Sequence, residues 1–168
     1  MKRLVFFVIV LSVCLTSCAK KPSIAEDFAL PLTITVSTNG KSEFTAFIFE
    51  DHSEIRFESE HIFEGTVLRF SDEGNTARVG NNFSRSIKNG CFPAQEALCK
   101  AVRGLTQSKD MQISQNQIKY TIDEMTVIVY YDKNTEAVIG IETEEGGRRF
   151  VFDVISLEPY EAQSKSVG

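Results

Sequence analysis

Six side chains carry the groups from which a nucleophilic or metal site is most often built: Cys14, Cys18, Cys91, Cys99, His52 and His61. Their neighbours supply little more. No G-x-S-x-G is present, and Ser86-Ile87-Lys88 lacks the S-x-x-K spacing that would pair a serine with a lysine base. A Ser-His-Asp arrangement would need His52 or His61 as its base. The first falls in a turn, Asp51-His52-Ser53, and the second at a strand end, with no motif beside either. The sequence is therefore read as non-enzymatic, with no catalytic residue and no cofactor. Glu50, Asp51 and Glu54 gather carboxylates around His52, but without the spacing of a calcium loop they read as a solvated turn, and no metal is expected. Glu142, Glu144 and Glu145 read in the same way, as the wet end of a hairpin.

Two of the cysteines belong to the N-terminus. Lys2 and Arg3 precede an almost unbroken apolar run from Leu4 to Leu15, and Leu15-Thr16-Ser17-Cys18 closes it. A run of about 12 residues is too short to span a hydrocarbon core of about 30 Å, so it reads as a secretory signal. A cysteine directly behind such a core resembles the bacterial lipobox. The resemblance implies a signal peptide over 1–17, acylation of the Cys18 thiol and a mature chain that begins there. Residues 18–31 are then a lipidated tether, and the chain is expected on a cell membrane or outer membrane, facing the extracytoplasmic side. Cys91 and Cys99 remain, in a compartment that permits a disulfide. On one helix, eight residues would hold them ~12 Å apart, and a bridge needs under ~7 Å. A disulfide requires Cys91 to fold back from ahead of the helix, and both outcomes stay open.

Composition bounds the partners. The chain has 168 residues and a net charge of −5; without the first 17, 151 residues remain, with 16 basic against 23 acidic, a net charge of −7. That is enough for one domain with a real core. A mildly acidic chain with scattered cations argues against nucleic acid as a partner. Only Lys20-Lys21 and Arg148-Arg149 are basic doublets. The first pair lies just behind Cys18, where each cation adds on the order of 1 kcal/mol against anionic headgroups.

The elements follow from periodicity. Ile24 to Leu30 could form about two helical turns, stopped by Pro31. From Leu32 the period becomes two. Strands are expected at Leu32–Val36, Glu43–Glu50, Glu54–Glu58, Thr66–Phe70 and Thr76–Val79, with Asn39-Gly40 as a hairpin turn. Pro93 to Leu105 is the convincing helix: proline suits its first position, and Ala94, Ala97, Leu98, Ala101, Val102 and Leu105 make one apolar face. Strands return at Met111–Ser114, Ile118–Ile122, Thr126–Tyr131, Val138–Thr143 and Arg149–Val154. The expected fold is a single domain over 32–160, mainly antiparallel β with one or two helices, strongly curved around the Pro93–Leu105 helix, with 161–168 as a disordered tail.

Phenylalanine is unusually frequent, 13 residues with no tryptophan. A curved sheet with one helix does not easily fill a wide concave face, so Phe44, Phe47, Phe49, Phe57 and Phe70 are candidate lining for an apolar ligand. The run from Glu54 to Phe70 carries Ile55, Phe57, Ser59, Gly65 and Phe70 in the order of an I-x-F-x-S-P-x-x-L-x-G-x-x-x-x-F block, with Glu60-His61 where the block has proline. That block resembles one in small bacterial lipoproteins similar to the lipoprotein-carrier (LolA/LolB-like) superfamily. The resemblance implies an unclosed β-barrel, a half-barrel with an apolar cavity packed on a helix, and a tethered, receptor-like protein that binds lipid or another apolar ligand. The alternative is a ligand-free structural lipoprotein that docks a protein of the envelope.

Overall fold

The computed structural model describes residues 28–161 apart from 41, 58–61, 81–82, 109 and 115. The signal segment, Cys18, the tether as far as Asp27, His61 and residues 162–168 of the tail lie outside the described residues. Of the expected Ile24–Leu30 helix, Ile24 to Asp27 lie outside the described residues; Phe28 to Leu30 carry no helix, and the Phe28 side chain is buried in the core.

Eleven strands and one helix make up the described chain. They are β1 (Leu32–Thr38), β2 (Ser42–Ile48), β3 (His52–Phe57), β4 (Thr66–Ser71), β5 (Asn75–Val79), β6 (Phe83–Ile87), α1 (Pro93–Gln107), β7 (Gln112–Ile113), β8 (Gln117–Ile122), β9 (Met125–Tyr131), β10 (Val138–Glu145) and β11 (Arg148–Pro159). All strands join one antiparallel sheet in the order β6-β5-β4-β3-β2-β1-β11-β10-β9-β8-β7, which does not close. Two meanders meet where the first strand pairs with the last, from Leu32 opposite Pro159 to Thr38 opposite Phe152. The sheet is thus the expected curved, unclosed barrel on a helix.

Strand alternation sets the layers. Leu32, Ile34 and Val36 of β1, Phe44, Ala46 and Ile48 of β2, and Met125, Val127 and Val129 of β9 are all buried, because successive side chains point to opposite faces. Tight turns hold the register. In β10–β11, Gly146 and Gly147 both have positive φ (56° and 78°) between the paired Glu145 and Arg148, the conformation a two-residue hairpin demands.

The helix is the chain's route between the two sheet edges, β6 and β7. Ten spacings of ~4.8 Å would put the edges of a flat sheet roughly 48 Å apart, whereas 15 helical residues cover ~22 Å. Bending the sheet around α1 shortens that distance, and α1 reaches β2 on one flank and β8 and β10 on the other. Pro93 stands in its first turn, and the Glu96 carboxylate accepts the Gly90 N–H at 2.9 Å. Ala97, Leu98, Ala101, Val102 and Leu105 face the core as the sequence expects. Gly104 is needed for close approach, since a Cβ there would lie 2.5 Å from Ile122 Cδ1. The Tyr120 hydroxyl donates to the Ala101 carbonyl and ties β8 to the helix.

Candidate functional site

The candidate ligand-lining phenylalanines do not form one site. Phe44, Phe57 and Phe70 are 0 %, 7 % and 4 % exposed and point into the core, where Phe44 meets Phe57 at 6.3 Å and Phe152 edge-on at 6.4 Å. Phe47 and Phe49 stand on the convex side. There the Phe47 and Phe49 rings pack edge-on against Tyr160 at 5.9 and 5.0 Å, the Arg56 guanidinium lies 4.4 Å from the Phe47 centroid, and Phe49 stacks on His52 at 4.6 Å. Alternation along β2 sends Phe44 and Phe47 to opposite faces. The convex group pins the end of β11 beside the start of β1, where the Tyr160 N–H donates to the Pro31 carbonyl at 3.0 Å. Three surface hollows of about 410, 420 and 380 Å³ are bordered by strand ends, turns and convex-side residues; none of the three is lined by Phe44, Phe57 or Phe70.

His52 is a strand residue rather than part of a turn. Its Nδ1 lies 2.7 Å from Asp51 Oδ1, and this hydrogen bond is the main reason the Asp51 carboxyl sits below the usual carboxylate range. Glu54 leans 3.8 Å from Arg56, and among the described residues no three His, Cys, Asp or Glu side chains gather as metal ligands would. Glu142 departs from its solvated reading. It takes the Arg149 guanidinium on both oxygens, at 2.7 and 2.8 Å, and accepts the Tyr130 hydroxyl at 3.3 Å. Glu145 holds Lys100 of α1 at 3.0 Å. The acidic hairpin end is therefore a fastening of sheet to helix.

The two remaining cysteines are free thiols, so the disulfide that the sequence left open is not formed. Cys91 is exposed ahead of α1, where the chain runs from Ile87 toward the helix, while Cys99 is buried on the helix. Burial pushes the Cys99 thiol up to about 12, opposed in part by the neighbouring Ser53 hydroxyl. Because the thiolate is the nucleophile, iodoacetamide on the folded chain should label Cys91 and spare Cys99. Peptide mapping should show Cys99 labelled only after unfolding. Two unlabelled cysteines that require reduction first would establish a bridge instead.

Sequence reasoning missed the strand β6 and, with it, the corner where apolar surface is exposed. Val79 and Phe83 face one another across the β5–β6 turn, 53 % and 60 % exposed. Ile62, 89 % exposed, and Phe63 stand on the adjoining β3–β4 connection, which meets that turn through the Gly80 N–H and Gly65 carbonyl at 3.4 Å. The signal available was only the Phe-Ser-Arg-Ser-Ile run, whose apolar residues are too few to mark a strand. No protein-family model matches the chain, and no curated protein is similar to it.

Proposed function

We propose that this chain is a lipid-anchored protein of the cell envelope whose β domain acts by docking a protein partner, with a filled core and no resident ligand. The observation that carries this reading is the burial of Phe44, Phe57 and Phe70 in the same core cluster as the apolar face of α1, with the Phe44 ring against Phe57 and Phe152. Interiors packed to ordinary density leave no room for a ligand of several hundred Å³. The apolar surface that remains accessible lies at loop corners and on the convex face, where a partner and not a small lipid would cover it. Anchoring rests on the Cys18 pattern; among the described residues no helix is long and apolar enough to cross a membrane.

The other reading is a lipid or apolar ligand held between sheet and helix, as in the lipoprotein carriers. It is favoured by the half-barrel itself and by the run of phenylalanines. Native mass spectrometry on the full chain, extracted gently from its own envelope, separates the two. The docking reading expects the mass of the processed polypeptide with its covalent acyl chains and nothing else. A second, non-covalent lipid that survives gentle extraction, and is lost in Phe44→Ala, would overturn it in favour of the carrier.

A further inference from the structure

β6 ends the sheet. Its five residues pair with β5 on one side, from Phe83 opposite Val79 to Ile87 opposite Asn75, and among the described residues no strand pairs with it on the other. Phe83 through Ser86 are exposed, so both faces of this edge are open as well as its rim. Alternate residues of an edge strand turn N–H and C=O groups outward, a template for another extended chain. The two strands of this edge carry charge of one sign, with Glu73 of the β4–β5 turn as the acid that borders the Ile87 end. From Asn75 to Asn89 the sequence has Arg78, Arg85 and Lys88 and no acidic residue, in a chain whose net charge is −5. None of these three cations takes part in an ion pair with a described residue.

We propose that β6 is a docking edge that accepts an extended acidic segment of a partner protein as an added strand. This inference rests on the docking reading above and supplies its surface. Recognition would divide between main chain and side chains, as it does when a peptide extends a sheet. The pairing fixes the pattern. Arg85 shares a face with Phe83 and lies opposite Ala77, while Arg78 lies opposite Ser84 on the other face. A strand beside β6 would therefore place an acid against Arg85 and an apolar residue against Phe83, two positions apart. Acids on its other face would reach over Ser84 toward Arg78.

A second copy of this chain fits less well. Arg85 is the middle residue of β6, and antiparallel pairing of two copies about that centre would set Arg85 against itself, where like charges repel. An anionic membrane would meet the cations but leave the outward main-chain groups without partners.

The test uses the full chain in detergent and a labelled peptide, Thr-Val-Thr-Glu-Thr-Val-Thr-Glu, read by fluorescence anisotropy. Saturable binding is expected. It should weaken about tenfold with Arg85→Glu, a change of ~1.4 kcal/mol from attraction to repulsion, and recover in part when that variant meets the peptide with lysine for glutamate. N-methylation of alternate peptide amides, made in both phases, should abolish binding in one phase and not the other. Four results overturn the proposal. Absence of saturable binding would leave Arg85 as a guard against edge-to-edge aggregation. Tolerance of both methylation patterns would mean charge attraction without strand pairing. A dimer abolished by Arg85→Glu would give the edge to a second copy. Pelleting with phosphatidylcholine–phosphatidylglycerol (3:1) vesicles that needs Arg85, with no peptide binding, would give it to lipid. An empty core in the native mass spectrum together with any of these leaves docking intact at another surface, whereas a lipid-filled core removes the docking reading itself.

Discussion

Leu98→Asp is expected to unfold the domain outright. Leu98 is 0 % exposed on the core face of α1, and α1 is the element that joins the two edges of the sheet across its concave side. Removing the leucine forfeits about 1.5–3 kcal/mol of burial. An unpaired carboxylate in its place costs several kcal/mol more, or takes up a proton at a comparable cost. The sum is on the scale of the ~5–15 kcal/mol that holds a typical domain together. Near-UV circular dichroism should lose its fine structure, and the cooperative thermal transition should vanish. Leu98→Met, which keeps volume and apolarity, should cost less than about 1.5 kcal/mol and melt cooperatively. An aspartate variant that melts at the wild-type midpoint would mean that α1 does not fill the trough.

That helix was legible because every determinant was local. Pro93 opened it and a 3.6-residue period marked its face; of the six residues read there five are buried, Ala94 is half-buried, and Cys99 and Gly104 are buried beside them. Ten of the eleven strands were legible for a similar reason, as period-two alternation is imposed by one wet and one dry face. Where the environment breaks that rule, the reading fails. β6 overhangs the core, both its faces meet solvent, and Phe-Ser-Arg-Ser-Ile carries no alternation to detect. β11 reads only to Val154 because the register shifts between Thr35 and Val36, so that Val36 faces Val154 and Thr35 faces Ser156. The parity of apolar residues changes there, and the strand continues to Pro159. The Asp123-Glu124 turn is similar, with positive φ at two residues, neither of them glycine.

Side-chain roles were legible only where burial decided them. Phe44 and Phe47 have the same type and lie three residues apart, yet one is core and the other lies on the convex face against Tyr160, more than a hundred positions away. Glu142 looked solvated for the same reason. Its partners arrive from β9 and β11 through a pairing that local pattern does not contain. The meeting of β1 with β11, which turns two meanders into one sheet, is the longest-range feature and left no trace in either strand alone.

On the proposed lipid anchor, Cys18→Ala is expected to release the chain from the membrane. The Cys18 thiol is the one group at that position that could carry a thioether-linked diacylglyceryl group. Each acyl methylene buried in a bilayer contributes ~0.8 kcal/mol, and one chain of myristoyl length gives only reversible binding, so a stable anchor needs two or more. Lys20 and Lys21, at about 1 kcal/mol each, cannot replace them. The exposed Arg56, Arg69 and Arg78 of the convex face could add only the same salt-screened attraction to headgroups, which a high-salt wash removes. Wild-type chain grown with an alkyne fatty acid should take up label and stay in the membrane pellet through high-salt and carbonate washes. Cys18→Ala should take up none, and its intact mass should show either residues 1–17 retained or a product shed without acyl chains. Cys14→Ala, a change within the proposed signal segment, should behave as wild type. If Cys18→Ala still carries the label and pellets as the wild type does, the anchor lies elsewhere in the chain.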